Sequence, residues 1–182
     1  MSIWISILRG INVGGRNAIK MDALRNMYVQ LGFSEVQSYI QSGNVIFKTE
    51  LTDSKSIEKL ISTEIRKTFG FEVPVLVVER EKWRNTIHRN PFLLDSSYDQ
   101  AYMHITFLSE SPDKTFIEKI SEGNYRTDEY CFGEKAIYLY CPTGYGNTKL
   151  SNTFFEKKLK LTATTRNLKT TTELLAIADQ LV

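Results

Sequence analysis

The chain has 182 residues, of which 42% are hydrophobic and 24% are charged, and its formal net charge is only +2. These proportions are typical of folded globular proteins and exclude a disordered chain. No apolar run approaches the roughly 20 residues that a membrane helix needs. Residues 1–5 lack the basic and apolar regions of a secretion signal, so we expect a cytoplasmic protein without a membrane partner.

The first half of the sequence predicts one βαββαβ unit. Residues 3–8 are apolar and predict a strand, after which residues 9–20 form a loop that contains three glycines. Apolar residues at helical spacing predict helices that end at Gly32 and Gly70, and Asp53 is a candidate cap for the second helix. Three further strands are predicted at residues 36–41, 44–48 and 73–78. This is the order of a ferredoxin-like unit.

The second half repeats this order after a linking helix at residues 82–88. Ser111 and Pro112 are the predicted start of its first helix, and Thr170 with Glu173 form a capping box for a final helix. The predicted strands lie at residues 101–108, 128–132, 136–141 and 162–166. The prediction is therefore an α+β fold with two tandem ferredoxin-like (βαββαβ) subdomains plus a C-terminal helix. Its bounds are 1–80 for the first subdomain, 81–100 for the linking helix and loop, and 101–182 for the second subdomain with the C-terminal helix.

Positive charge is concentrated in two stretches. Residues 1–20 contain three basic residues and no acidic one, and residues 142–172 contain six basic residues and one acidic residue. If the fold brings these stretches together, they form a surface that attracts anions. Lysines scattered over the solvated surface are the alternative.

The loop at residues 9–17 is the densest signal in the sequence. A glycine-containing turn between a strand and a helix can present backbone N–H groups to a phosphate, with Arg9 and Arg16 supplying charge. The glycine spacing matches neither a dinucleotide-binding motif nor a P-loop. A purely structural loop, with Asn12 or Asn17 bonding the local backbone, is the alternative.

Further polar residues lie in predicted loops and helix starts, where hydrophobic packing does not explain them. Our leading hypothesis is a small anionic or phosphate-bearing ligand in a cleft between loop 9–17 and segments 147–167, with Arg9 and Arg166 in the same cleft. The proposed ligand-binding residues are Arg9, Asn12, Gly14, Gly15, Gln41, Ser42, Asn44, Lys149, Asn152, Arg166 and Asn167.

Two alternatives remain open. Tyr102 and His104 share one face of a predicted central strand, and Tyr138 and Tyr140 share one face of its neighbour. RNA-recognition sheets stack bases on aromatic residues at such places, which would give RNA or single-stranded DNA binding. Packing of these aromatic residues inside the protein is the competing interpretation. The other alternative is an interaction or dimerisation module, because both faces of the first sheet are apolar. The oligomeric state stays open.

Catalytic and metal-binding patterns are sparse. The chain has two histidines, and Cys131 and Cys141 flank a predicted hairpin at positions too distant for a disulfide. No Cys spacing indicates a metal site, and we predict neither metal nor cofactor. Both cysteines are expected to be buried.

Six motifs follow one another along the chain. They are Leu-Arg-Gly-Ile-Asn-Val-Gly-Gly at residues 8–15, Leu-Gly-Phe at 31–33, Tyr-Ile-Gln-Ser-Gly-Asn-Val at 39–45, Asn-Pro-Phe at 90–92, Lys-Leu-Ser-Asn at 149–152 and Ala-Thr-Thr-Arg-Asn at 163–167. In this order they resemble a known bacterial family, the domain of unknown function 1697. The resemblance implies a bacterial cytosolic protein with two α+β subdomains of ferredoxin-like type. It implies no activity and no site residues. Leu168 stands where the family more often has tryptophan.

Overall fold

The protein is an α+β protein with two four-stranded antiparallel sheets and six α-helices, and the computed structural model describes all of residues 1–182. The strands are β1 (Ser2–Leu8), β2 (Ser34–Tyr39), β3 (Asn44–Thr49), β4 (Val75–Glu79), β5 (Met103–Leu108), β6 (Glu129–Phe132), β7 (Ala136–Tyr140) and β8 (Ala163–Asn167). The α-helices are α1 (Met21–Gln30), α2 (Ser54–Phe69), α3 (Arg80–His88), α4 (Lys114–Ser121), α5 (Asn152–Leu159) and α6 (Leu168–Asp179).

The chain forms two compact units that share one plan. The first unit comprises Met1–Arg84 and Glu173–Val182, and the second comprises Asn85–Thr172. Each contains a βαββαβ order, and the two strand orders correspond, β2-β3-β1-β4 and β6-β7-β5-β8. Their boundaries fall inside helices α3 and α6. The subdomain bounds predicted from the sequence stay a prediction.

The core of the first unit lies between its sheet and helices α1 and α2. Strand alternation directs Trp4, Leu8 and Phe47 to this side, where Tyr28 of α1 and Ile57 of α2 are fully buried. The Tyr28 hydroxyl lies 2.9 Å from Ser6 Oγ, which satisfies a polar group inside the core. Burial raises the pKa of Tyr28, so the phenol is neutral.

The opposite face of the first sheet is also buried. Its residues Ile5, Ile7 and Ile46 are inaccessible to solvent within the single chain. This is the apolar face that suggested a dimerisation module, and the suggestion stays a prediction. The same unit includes the C-terminal segment Glu173–Val182, whose Asp179 carboxylate accepts hydrogen bonds from Arg84 at 2.6 Å and Arg80 at 3.3 Å.

The second unit packs α4 and α5 on one face of its sheet. Ile137 and Leu139 of β7 contact a buried cluster that includes Phe155 and Leu159 of α5. Helix α5 begins after Ser151, whose hydroxyl accepts a hydrogen bond from the Phe154 N–H at 3.2 Å. None of the helices in the protein combines the length and the apolar character needed to cross a membrane.

Three local predictions were wrong. Asp113 caps α4, so the helix begins two residues after Pro112. Helix α6 begins at Leu168, and Asn167 Oδ1, rather than a Thr170–Glu173 box, accepts the first bond, from the Thr170 N–H at 2.7 Å. Cys131 is exposed on edge strand β6, whereas Cys141 is buried as expected. In the first two cases the N-terminus of the helix is capped by an Asp or Asn that lies within three residues of the predicted cap.

We expect Asp179→Asn to destabilise the protein by about 1 kcal/mol, because it weakens two charge-assisted hydrogen bonds at a half-buried position. The urea unfolding midpoint measures this. The matched control is Asp22→Asn, which weakens only the pair with Arg25 at a highly exposed carboxylate. Equal midpoints for the two variants would contradict a stabilising role for the Asp179 cluster.

Candidate functional site

The connection between the first strand and the first helix is much longer in the first unit than in the second. The connection from β1 to α1 has 12 residues, 9–20, whereas its equivalent from β5 to α4 has five, 109–113. Both begin with the same backbone bonds: Leu8 N–H to Gly43 O at 2.8 Å matches Leu108 N–H to Lys135 O at 2.9 Å. Since five residues suffice for the shared plan, the length of loop 9–20 needs another explanation.

Loop 9–20 lies against the β2–β3 turn, residues 40–43, and we call these two segments the paired loops. The Asn12 side chain joins them: its Nδ2 donates to Gln41 O at 2.8 Å and to Ile19 O at 3.0 Å. Its Oδ1 accepts from the Ile19 N–H at 2.8 Å. Asn12 uses both ends of its amide for these bonds, so its role is to brace the loops.

Other polar residues of the same region are also committed to the backbone. Asn17 Nδ2 donates to Gly10 O at 3.0 Å. Asn44 is buried, and its Nδ2 donates to Tyr39 O at 3.1 Å and to Ser42 Oγ at 2.8 Å. These bonds explain why amide side chains stand in loops without implying any ligand.

Gly43 permits the close contact between the paired loops. Its φ is +80°, and a Cβ there would lie 2.7 Å from Leu8 Cβ and 2.9 Å from Ile11 Cδ1. Ile11 and Ile19 are buried, so loop 9–20 is anchored in the core of the first unit at two points. The paired loops are therefore a packed element, although they contain no helix or strand.

The exposed part of loop 9–20 is a two-residue turn. The Arg16 N–H donates to Val13 O at 3.1 Å, and Gly14 and Gly15 between them have φ of +58° and +74°. Two consecutive left-handed residues favour glycine and fix the direction of their N–H groups. The turn presents exposed backbone donors beside the exposed side chain of Arg16, a combination that suits an anion.

The second unit lengthens a different connection. From β7 to α5 it has 11 residues, 141–151, whereas the equivalent from β3 to α2 has four, 50–53. Within it the Tyr145 ring stacks on His104 of β5 at 4.8 Å between centroids, and the Thr148 hydroxyl donates to Asp128 Oδ2 at 2.6 Å. Burial lowers the pKa of His104, so its imidazole is neutral at pH 7.

The predicted binding residues of segments 147–167 have diverse settings. Lys149 is exposed. Asn152 Oδ1 accepts from the Thr165 hydroxyl at 2.6 Å, and Asn167 is the cap of α6. Arg166 donates from Nη1 to Thr165 O at 3.0 Å, and burial lowers its pKa to about 10, so it stays charged at neutral pH. The expectation that Arg9 and Arg166 share one cleft stays a prediction.

The aromatic residues of the second sheet do not form one platform. The β5–β7 register places His104 opposite Leu139 and Tyr138 opposite Ile105, so His104 and Tyr138 lie on opposite faces. Tyr138 is buried and its hydroxyl donates to Thr86 O at 2.9 Å. Tyr140 packs against Tyr98, Tyr102 and Phe92. The geometry favours the packing interpretation of these residues.

Other groups with chemical potential do not belong to the paired loops. Nowhere does the chain group three or more His, Cys, Asp or Glu side chains that could hold a metal. Burial raises the pKa of the Cys141 thiol to about 11. A cavity of about 320 Å³, which the sequence did not reveal, is lined by Ile3, Lys48, Arg80 and Leu181 among others. The guanidinium of Arg80 in this lining donates hydrogen bonds to the carboxylates of Glu81 and Asp179.

Comparisons with known proteins identify a family but no activity. A family model described as a protein of unknown function (DUF1697) matches residues 1–138, which confirms the resemblance carried by the motifs. A solved structure of a conserved bacterial protein from Streptococcus pneumoniae is similar, with a TM-score of 0.77 and 22% identity over 97% of this chain and 98% of that chain. No curated protein matches the sequence. The structural similarity supports the fold alone.

We expect Gly43→Ala to cost about 3 kcal/mol of stability, since a Cβ is strained at positive φ and overlaps Leu8 and Ile11. Gly32→Ala is the matched control: its φ is +86° but the space is open, so about 1 kcal/mol is expected. Denaturant unfolding measures both. Similar losses in the two variants would show that the paired loops are not closely packed at Gly43.

Proposed function

We propose that this chain, which belongs to the DUF1697 family of proteins of unknown function, binds a small anionic or phosphate-bearing ligand at the paired loops. The main support for this proposal is loop 9–20, which is seven residues longer than the equivalent connection at residues 109–113. Hydrogen bonds from Asn12 hold this loop in place. The entropy cost of ordering this loop is therefore incurred when the protein folds and not when a ligand binds, which favours a higher affinity.

The contact groups in this proposal are those that the fold leaves exposed. They are the backbone of Gly14 and Gly15, the side chain of Arg16 and the side chain of Gln41. Arg9 is half-buried at the base of the loop and adds positive charge. The paired loops contain no acidic, His or Cys side chain, so they supply hydrogen-bond donors and charge.

Three finer points belong to the same proposal. The two βαββαβ units are tandem ferredoxin-like subdomains, as their shared strand order supports. The contribution of Lys149 and Arg166 to anion binding, which is expected from the sequence, is part of the proposal. The protein works in the cytoplasm, where phosphate esters and carboxylates are abundant ligands.

The test is an NMR titration of the full chain with inorganic phosphate at constant ionic strength. We expect saturable shifts of the Gly14, Gly15 and Arg16 amides, and Arg16→Gln should weaken binding about fivefold because one charge-assisted contact is lost.

Lys59→Gln is the matched control, since Lys59 is an exposed cation on α2 outside the paired loops, and it should leave the affinity unchanged. Lys149→Gln tests the predicted contribution of segments 147–167. Shifts that spread over all surface lysines without saturating would refute the proposal.

A further inference from the structure

Two aliphatic side chains project into solvent from the paired loops. Val13 is 64% exposed at the tip of loop 9–20, and Ile40 is 52% exposed in the β2–β3 turn. Each is one residue away from the bond between Asn12 Nδ2 and Gln41 O, which measures 2.8 Å. The bond that joins the paired loops therefore holds together the two segments that carry these apolar groups.

Ile40 has a backbone conformation that its residue type disfavours. Its φ is +50°, a region in which a β-branched residue is strained. The equivalent turn of the second unit, residues 133–135, contains no left-handed residue, so the shared plan does not impose this strain. Burial does not compensate for it, because about half of the side chain remains exposed. The turn thus holds an apolar group outward at a cost in stability.

The charged residues of the paired loops are all cations. Loop 9–20 contains Arg9, Arg16 and Lys20 and no acidic residue, and residues 40–43 carry no charge. Arg16 and Lys20 are exposed. The complementary partner therefore combines negative charge with an apolar group.

We propose that the paired loops dock an acidic segment of another protein, and that one aliphatic side chain of this segment packs against Val13 and Ile40. This inference rests on the anion binding proposed above and names its natural source. A membrane surface fits less well. Basic surfaces that bind anionic lipids typically cluster roughly four to eight cations, and membrane-anchoring faces often carry Trp or Phe, whereas the paired loops have three cations and no aromatic residue. The lack of aromatic residues also disfavours single-stranded nucleic acid, which stacks on them.

The experiment measures fluorescence anisotropy of the full chain with two labelled peptides of Glu and Asp, one with a central leucine and one with serine in its place. The leucine peptide should bind about fivefold tighter, because its side chain is removed from water. Val13→Ser and Ile40→Asn should each reduce this preference, and Arg16→Gln should weaken both peptides alike.

Two controls separate binding from folding. Val29→Ser replaces an exposed valine of the same unit, on α1, and should keep the leucine preference. Ile40→Asn should not lower the melting temperature, since asparagine tolerates a positive φ. A variant that is at least as stable yet loses the preference shows that Ile40 serves the partner and not the fold.

The outcomes distinguish this inference from the function on which it rests. Saturable phosphate binding at Gly14–Arg16 together with equal affinities for the two peptides would overturn the docking inference and leave the proposed function intact. If the unmodified protein binds neither phosphate nor either peptide, the docking inference and the proposed function are both overturned. Binding to phosphatidylserine vesicles that depends on Val13 and Ile40, without any leucine preference, would also overturn the inference in favour of a lipid partner.

Discussion

The side-chain amide of Asn12 holds together the part of this protein on which the functional account depends. Its three hydrogen bonds span Ile19 and the carbonyl of Gln41, so one residue fixes a loop of 12 residues against a turn that lies about 30 positions away in the chain. Neither segment has the repeating backbone bonds of a helix or strand to keep its shape. This amide therefore acts together with the buried Ile11 and Ile19 to fix the position of loop 9–20 against the turn that contains Ile40.

The two units share the elements that the fold requires and differ in the length of two connections. Each unit builds the same βαββαβ order, but the first unit lengthens the connection after β1 and the second unit lengthens the connection after β7. Many of the binding residues predicted from the sequence belong to these longer connections or lie beside them. The structure divides them into two groups: Asn12, Asn44, Asn152 and Asn167 bond the protein itself, while Gly14, Gly15, Arg16 and Lys149 face solvent.

Periodicity and helix stops in the sequence predicted the element order and the α+β class correctly, because they depend on neighbours within a few residues. Helix starts were less accurate, because Asp113 competes with Ser111 and Asn167 competes with Thr170 as the cap, and only the three-dimensional path of the chain decides between them. Bonding of Asn12 or Asn17 to the local backbone was one interpretation of the sequence, and the bonds of Asn12 to Ile19 agree with it. The bond to Gln41 O was not predictable, because that carbonyl is distant in the chain. The positive φ of Ile40 contradicts the local preference of isoleucine, and no local pattern indicates it.

The most direct test of the account is amide hydrogen exchange in the native protein, read at Asn12 and Ile19. Both amides are bonded within loop 9–20, to Asn17 O and to Asn12 Oδ1 respectively. We predict that both exchange slowly, and that Asn12→Ala accelerates Ile19 while the amides of β1 stay protected. Exchange of Asn12 and Ile19 at the rate of an unstructured chain in the unmodified protein would contradict a preformed site at the paired loops.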